Sequence, residues 1–357
     1  MFVLIPSWGL HGKHGGIRVL CELASGLVRR GHHVRFLTFD GEGPTAFPTI
    51  AEHESIGRSP KGKSLLRDLP RQAALQRAIE RHPHADVVLA NHHMTARPTH
   101  RARIEARKFY YVQAYEPDFY PRRLRHRPLG WLAGRSYDYP LRRIANAPSV
   151  ARLFTGAGWE RVPIVPPGID PALYHPAGHR PAGTPLVVGT IARIEAWKGT
   201  ADCFEAVRRV RAKGIVVDFR VAFGNIPRGH EDDPRIDDAP QDDRALADWY
   251  RSLDVLLAAV YWGGAPYPPL EAMACGTAVV TTPNDHVVDS RNGLTAPQQD
   301  PGALAATLER TCVDRALRVR LVAQGLDDAR AHHWENVVEK MESILMGRIE
   351  APPGGRA

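Results

Sequence analysis

Short apolar runs alternate with amphipathic segments along most of this 357-residue chain, and that alternation limits its fold more than any other feature. Phe2–Pro6 is short and apolar like a buried strand, whereas residues 17–30 carry their apolar side chains at helical spacing. The next short apolar run covers residues 34–38. Strands that alternate with helices in this way form parallel sheets with crossover helices on their faces. The pattern therefore predicts an α/β protein.

The alternation stops once and begins again, which predicts two domains. Residues 164–170 read as a short strand followed by paired prolines and a glycine, a combination that makes a stiff turn. The pattern restarts at Leu186–Ile191, and a chain of this length exceeds one ordinary core. We predict a first domain over residues 1–164 and a second over residues 165–334.

The formal net charge of +8 comes mostly from arginine and favours anionic partners such as phosphates, acidic membranes or nucleic acid. Arginine-rich codon usage is the alternative explanation. The sequence has no RNA-binding signature and no zinc-finger spacing, so nucleic acid is not an expected partner. The densest basic run, RRLRHR at residues 122–127, predicts either a solvated loop or contact with lipid headgroups or a pyrophosphate-linked acceptor.

The four cysteines lie far apart and none forms a CxxC pair, so we expect buried reduced thiols in a cytoplasmic protein. The opening residues, MFVLIPSWGL, lack the basic region of a signal peptide and are interpreted as a first strand. No apolar run approaches the ~20 residues that a membrane span needs. Contact with a membrane is expected to be peripheral at most, at the inner face.

Two loops carry residues that suit a phosphate. The first, residues 9–16, is rich in glycine but matches neither the GxGxxG nor the Walker A spacing, which disfavours NAD and ATP sites of those types. The second, residues 189–199, places Arg193 and Lys198 between a strand and a helix, where open α/β sheets bind ligands. A forked guanidinium and a compact ammonium can jointly neutralise a diphosphate. Two solvated surface cations are the alternative.

A third loop, YWGGAPYPPLEAMACG at residues 261–276, leads through Pro268 and Pro269 into a predicted helix. Proline suits the first turn of a helix, so Glu271 is expected in that first turn. Free N–H groups at such an end attract an anion, and a carboxylate beside them can hold the hydroxyls of a ribose. A glutamate that only complements the helix dipole is the alternative, and the two other loops weaken it.

Five segments, taken together, resemble the retaining glycosyltransferases of family 4, which have the GT-B fold. They are GGIRVLCELASGLVRRGHHVRFLT (15–38), VPPGID (165–170), GTIARIEAWKG (189–199), YPPLEAMACGTAVVTT (267–282) and NGLTAP (292–297). The resemblance implies two Rossmann-like doubly wound domains that face a central cleft, with a C-terminal helix, residues 335–350, packing back on the N-terminal domain. The narrower segment YYVQAYEPDFYP (110–121) and the Tyr-Pro-Pro form of the third loop are similar to the WsaF-like rhamnosyltransferase subgroup.

By motif match, the resemblance implies a nucleotide-sugar donor held mainly by the second domain. Arg193 and Lys198 would bind the diphosphate and act in catalysis as it departs, and Glu271 would bind the ribose. The other donor-binding positions implied are Gly15, Gly16, Gly224, Tyr267, Pro269 and Leu270. The family needs neither a divalent metal nor a cofactor, so none is expected, and the acidic residues 231–243 are interpreted as a solvated loop.

The chain departs from the family pattern at two places. Gly263 stands where the family often has a glutamate that contacts the donor sugar. The strand that runs into Glu116 lacks the histidine that many members carry near the reacting sugar, whereas His92 and His93 end the preceding predicted strand. His92 and Glu116 are therefore the catalytic candidates of the first domain, with a surface or structural role as the alternative.

The leading hypothesis is a retaining enzyme of polysaccharide biosynthesis. It would move a hexose or 6-deoxyhexose, with rhamnose suggested by the subgroup, from a nucleoside diphosphate to a glycan, lipid-linked or natural-product hydroxyl. A non-catalytic GT-B subunit that binds nucleotide or glycan is the first alternative, motivated by Gly263 and by the missing histidine at the strand end. A nucleotide-sugar epimerase of GT-B fold is the second. Retention of Arg193, Lys198 and Glu271 weighs against the non-catalytic subunit.

Overall fold

The structure is a computed structural model. It describes residues 1–10, 12, 15–40, 45–58, 65–120, 127–155, 162–176, 185–223, 226–229, 235–236, 240–261 and 265–351. The chain divides into two compact units. The first unit comprises Met1–Pro167 and the C-terminal residues from Trp334, and the second comprises Gly168–His333. The division predicted from the sequence lay a few residues earlier, between residues 164 and 165.

The first unit is built on a six-stranded sheet of order β3-β2-β1-β4-β5-β6 in which every pairing is parallel. Its strands are β1 (Phe2–Pro6), β2 (His33–Asp40), β3 (Glu52–Arg58), β4 (Val87–Ala90), β5 (Arg107–Val112) and β6 (Arg142–Ala145). Its helices are α1 (Gly15–Arg29), α2 (Leu65–Glu80), α3 (His93–Arg101), α4 (Arg127–Arg135), α5 (Pro148–Thr155) and the C-terminal α11 (Trp334–Leu345).

The second unit repeats this architecture with a parallel sheet of order β12-β11-β10-β7-β8-β9. Its strands are β7 (Leu186–Ile191), β8 (Val217–Ala222), β9 (Arg235–Ile236), β10 (Val255–Ala258), β11 (Ala278–Thr281) and β12 (Leu294–Thr295). Its helices are α6 (Thr200–Ala212), α7 (Asp243–Arg251), α8 (Tyr267–Ala274), α9 (Pro301–Val313) and α10 (Arg315–Arg330). The predicted α/β class with two parallel sheets is confirmed.

The C-terminal helix packs on the first unit, as the resemblance implies. The α11 side chain of Val338 lies so close to α1 that a Cβ built on Gly26 would meet its Cγ2 at 2.3 Å. Glu342 of α11 accepts hydrogen bonds from Arg30 Nε and Nη2 at 3.0 and 2.8 Å, and its other oxygen lies 2.6 Å from His32 Nε2. A close helix contact and a polar anchor thus hold the end of the chain in place.

Replacing Glu342 with glutamine should lower the Tm of the protein at pH 7 by roughly 2–4 °C. The hydrogen bonds from Arg30, and then those from His32, lower the pKa of Glu342 to about 2 against the effect of burial. Because the folded-state pKa lies below the unfolded value of about 4.3, this stabilisation is complete above that value and is lost as the pH falls toward 2. Thermal unfolding at pH 7 and pH 2.5 checks both statements. Glu339→Gln, at an exposed position of α11, is the control. A Tm at pH 7 equal to that of the wild type for Glu342→Gln would show that the hydrogen bonds of Glu342 do not stabilise the fold.

Candidate functional site

Two of the three loops predicted to bind a nucleotide belong to the second unit, and they lie side by side at one edge of its sheet. β7 and β10 pair in parallel, so the loops that follow them leave the sheet at the same edge. The backbone N–H of Tyr261, in the loop after β10, donates to Trp197 O, in the loop after β7, at 2.9 Å. The carboxyl edge of a parallel sheet is the usual place for a ligand in such folds.

Gly199 fixes the shape of the loop after β7. Its φ of 59° lies in the left-handed region, and a Cβ at this position would lie 1.9 Å from Ala259 O. The hydroxyl of Thr200 donates to Arg193 O at 2.9 Å and accepts from Arg193 N at 3.0 Å, which closes the loop on itself. The loop that carries both predicted cations is therefore shaped by the close approach of Gly199 to Ala259 and by the hydrogen bonds of the Thr200 side chain.

Arg193 and Lys198 lie close enough to affect each other. Burial, and then the charge of Arg193, lowers the pKa of Lys198, while Glu195 acts in the opposite direction. The Lys198 ammonium lies 4.0 Å from the centre of the Trp197 ring, and the Arg193 guanidinium lies 4.2 Å from the centre of the Phe223 ring. Within the described residues, neither cation has an ion pair with a carboxylate. A pair of like charges without a carboxylate partner suits a dianionic group such as a diphosphate.

Helix α8 begins at Tyr267, two residues earlier than the sequence predicts, because Pro266 takes the N-cap position. Glu271 is consequently the fifth helical residue, so its predicted place in the first turn is wrong. Pro268 and Pro269 have no N–H group, so only Tyr267 and Leu270 can offer one in the first four positions. The anion-binding capacity of this helix end is therefore smaller than the motif suggests.

The Glu271 carboxylate is almost completely buried, at 3% exposure. Its Oε2 accepts a hydrogen bond from the hydroxyl of Tyr250, also buried, at 3.0 Å. Burial, and then the nearby carboxylate, raises the pKa of Tyr250 well above its ordinary value, so the phenol keeps its proton. This bond fixes the orientation of Glu271, and its contact with a ribose stays a prediction.

The glycines predicted to contact the donor from the first unit form the start of a helix instead of part of a turn. Helix α1 begins at Gly15, not at residue 17 as the sequence predicts, so Gly15 and Gly16 lie in its first turn. Gln113 Nε2 donates to Gly16 O at 3.1 Å, and its Oε1 would lie 3.0 Å from a Cβ on Gly16. Gly224 and Gly263, the two remaining glycines of the prediction, lie outside the described residues.

His92 and Glu116 come together at the carboxyl edge of the first sheet, but the histidine bound to Glu116 is His93. His93 Nδ1 lies 2.5 Å from Glu116 Oε2, whereas His92 Nε2 lies 3.8 Å away. His92 is the N-cap of α3 and accepts a hydrogen bond from Met94 N through Nδ1. Burial, followed by the influence of His93, lowers the pKa of His92 to about 4 against the effect of Glu116, so its imidazole is neutral at pH 7.

Three further residues of this cluster are not predicted by the sequence analysis: His93 as the bonded histidine, Tyr110 and Tyr120. The segment YYVQAYEPDFYP contains two of them, and its four tyrosines are the signal that could have found them. His92, His93 and Glu116 have ligand atoms within 4.8 Å of one another, a spacing that could hold a metal ion. However, Glu116 already accepts hydrogen bonds on both oxygens, so hydrogen bonding accounts for the cluster.

Two family models match consecutive parts of the chain. Residues 14–173 match the model described as Glycosyltransferase Family 4, and residues 185–314 match the model described as Glycosyl transferases group 1. Together they span most of the sequence. Both parts of the chain thus match models of glycosyltransferases. The resemblance stated from its motifs is confirmed at the level of the family.

Curated proteins similar to this chain include several D-inositol 3-phosphate glycosyltransferases. The protein of Stackebrandtia nassauensis is 30% identical over 211 residues, which are 51% of this chain and 48% of the relative. The protein of Acidothermus cellulolyticus is 27% identical over 213 residues, which are 52% of this chain and 47% of the relative. The chain thus spans about half the length of the curated relatives it matches.

Solved structures with the same fold cover nearly the whole chain. Sucrose-phosphate synthase of Thermosynechococcus elongatus has a TM-score of 0.76 at 16% identity, covering 97% of this chain and 98% of its own. HepE of Anabaena, in complex with UDP and glucose, has a TM-score of 0.69 at 17% identity, covering 97% of this chain and 100% of its own. The predicted GT-B fold is confirmed. None of the described helices is both long and apolar enough to cross a bilayer.

Proposed function

We propose that this protein transfers a sugar from a nucleoside diphosphate to a hydroxyl group, with the diphosphate held by the second unit. The observation that carries the proposal is the pair of neighbouring cations, Arg193 and Lys198, in the loop after β7. An anion that contacts two like charges relieves their repulsion. A diphosphate is such an anion, and the HepE structures, of the same fold, contain UDP and UDP-glucose.

The reaction breaks the bond between the sugar C1 and a diphosphate oxygen and forms a bond between C1 and the acceptor oxygen. Negative charge grows on the departing diphosphate, where Arg193 and Lys198 stabilise it. We propose a retaining course, in which the acceptor attacks from the face that the diphosphate leaves. Its proton then passes to the departing phosphate oxygen. The two cations take the electrostatic role that a metal ion has in other transferases, so the scheme includes neither metal nor cofactor.

The proposed donor sugar is a hexose or 6-deoxyhexose, and the similarity to WsaF-like enzymes makes rhamnose the first candidate. The proposed acceptor is a glycan, a lipid-linked saccharide or a small hydroxylated molecule, in line with the inositol phosphate for which the curated relatives are named. A lipid-linked acceptor requires contact with a membrane surface. The basic residues 122–127 are the candidate for that contact, at the cytoplasmic face, and residues 122–126 of this run lie outside the described part of the chain.

Thermal-shift titration tests the donor site. UDP, GDP and dTDP sugars are titrated into the wild type, Arg193→Ala and Arg208→Ala. We expect the best ligand to bind Arg193→Ala at least about tenfold more weakly than the wild type, because two charge-assisted hydrogen bonds are lost. Arg208 is the control, since it lies on α6 and pairs there with Glu205 at 2.6 Å. Equal Tm shifts in all three proteins would place the diphosphate elsewhere.

A further inference from the structure

A hydroxyl, an imidazole and a carboxylate follow one another in the first unit. The Tyr120 hydroxyl lies 2.9 Å from His93 Nε2, and His93 Nδ1 lies 2.5 Å from Glu116 Oε2. His93 and Glu116 are almost completely buried, whereas Tyr120 is partly exposed. Tyr120 comes directly after the short 3₁₀ helix Glu116–Phe119. The three groups therefore lead from the protein interior to its surface.

Glu116 fixes the direction of every hydrogen bond in this chain of groups. Its Oε1 accepts from the Tyr110 hydroxyl at 2.7 Å, and its Oε2 accepts from His93 N at 2.7 Å. Burial raises the pKa of Glu116, but the hydrogen bonds from His93 and Tyr110 are among the contacts that lower it overall. Glu116 is thus a carboxylate, which can only accept hydrogen bonds. The proton between Glu116 and His93 consequently belongs to His93 Nδ1.

In the neutral form of His93, the proton on Nδ1 leaves only a lone pair on Nε2, and that lone pair accepts a hydrogen bond from the Tyr120 hydroxyl. The hydroxyl of Tyr120 therefore cannot donate to a ligand. Its oxygen keeps a free lone pair, so a ligand at this point must be a hydrogen-bond donor. Neutral imidazoles oriented by a carboxylate in the same way set the direction of hydrogen bonds in many enzyme sites.

We propose that Tyr120 is a positioning residue for the sugar acceptor, whose hydroxyl donates a hydrogen bond to the Tyr120 oxygen held by His93 and Glu116. The inference rests on the proposed function, because it assigns the acceptor of that reaction to a group in the first unit. The proposed ligand is a ring that carries hydroxyl groups and has an apolar face.

Aromatic side chains near Tyr120 could contact the apolar face of such a ligand. Helix α4 packs against the 3₁₀ helix, and a Cβ on Gly130 would lie 3.6 Å from the Tyr120 Cβ. Trp131, the next residue of α4, is 62% exposed, and Phe119, which precedes Tyr120, is 58% exposed. Aromatic rings are enriched at interfaces, where they supply a large apolar contact area. One hydrogen-bond acceptor beside aromatic rings suits a saccharide or another hydroxylated ring.

Tyr120→Phe tests the inference, because it removes the hydroxyl and keeps the ring. Methyl α-D-glucopyranoside, methyl α-L-rhamnopyranoside and D-inositol 3-phosphate are titrated with and without UDP. We expect at least one probe to bind the wild type and the control Tyr115→Phe equally, and Tyr120→Phe about fivefold to tenfold more weakly. Equal behaviour of the wild type and Tyr120→Phe toward all three probes, including no binding, overturns the inference. Failure of UDP to bind any of these proteins counts against the proposed donor site alone.

The direction of the hydrogen bonds has its own test. Nitrogen NMR of protein labelled with ¹⁵N-histidine, with His93→Gln to assign the signal, is expected to show a neutral ring protonated on Nδ1 at pH 8. A proton on Nε2, or on both nitrogens, overturns the inference. Glu116→Gln should weaken binding of the same probe, and adding it to Tyr120→Phe should cause no further loss, because both changes remove one interaction. Additive losses would instead indicate a structural role for Glu116.

Discussion

Replacing Lys198 with alanine should lower the turnover of the nucleotide-sugar donor by about 10²–10³-fold. The ammonium group is the compact charge of the cation pair, and its pKa is lowered by burial and by Arg193. Contact with the departing diphosphate strengthens as negative charge develops there, so the loss falls on the chemical step more than on donor binding. Initial rates of nucleoside-diphosphate release at saturating donor, compared with donor affinity, provide the measurement.

Lys213→Ala is the matched control for that experiment. Lys198 comes just before α6 and Lys213 comes just after it, so the helix separates them by about 20 Å. Lys213 pairs with Glu309 on the surface, where such ion pairs contribute little. We expect Lys213→Ala to keep the wild-type rate. Equal losses in the two variants, or no loss in Lys198→Ala, would show that Lys198 does not stabilise the leaving group.

Gly199→Ala should lower the free energy of unfolding by about 3–5 kcal/mol. The left-handed backbone, at φ 59°, disfavours any side chain, and the new Cβ would lie 1.9 Å from Ala259 O, a backbone atom that cannot turn aside. Relief of the clash must move the loop after β7 away from the loop after β10. Donor affinity is therefore expected to fall as well, since Arg193 and Lys198 lie on the displaced loop. Chemical denaturation and UDP titration measure the two effects.

Gly214→Ala separates the two causes of that loss. Gly214 also has a left-handed backbone, at φ 81°, but a Cβ there would have no atom within 4 Å. The control therefore carries only the backbone cost, about 1 kcal/mol. Similar losses in the two variants would show that the contact with Ala259 is unimportant. A larger loss in Gly199→Ala with unchanged UDP affinity would show that the loop does not hold the nucleotide.

Periodicity was sufficient to predict the two parallel sheets, because most of their strands are buried apolar runs followed by amphipathic helices. It did not predict β3, whose sequence EHESIGR is largely polar and exposed at the edge of its sheet. Charged residues are tolerated there because an edge strand has one free side. It also did not predict α3, a short helix that contains Pro98 and is stabilised at its start by the His92 cap. The edge position decides the first element, and the capping interactions of His92 support the second.

Some positions in the candidate sites could also be predicted from the sequence and others could not. The position of Arg193 and Lys198 at the edge of the sheet was predictable, because a loop between a parallel strand and a helix has a known place there. The turn that holds Glu271 was not predictable, since the start of α8 depends on Pro266 adopting the N-cap conformation. His92 and His93 are adjacent, and spacing cannot distinguish them. The capping geometry directs the first to the backbone of α3 and the second to Glu116.

Release of nucleoside diphosphate, in step with formation of a glycosylated acceptor, is the measurement that tests the central claim most directly. UDP-glucose, GDP-mannose and dTDP-L-rhamnose are supplied with hydroxylated acceptors to the wild type and to the double variant Arg193→Ala/Lys198→Ala. We predict transfer from at least one donor by the wild type and a rate at least 10²-fold lower in the double variant. A nucleotide sugar that binds the wild type but is never cleaved, or one that both proteins cleave equally fast, would contradict the account.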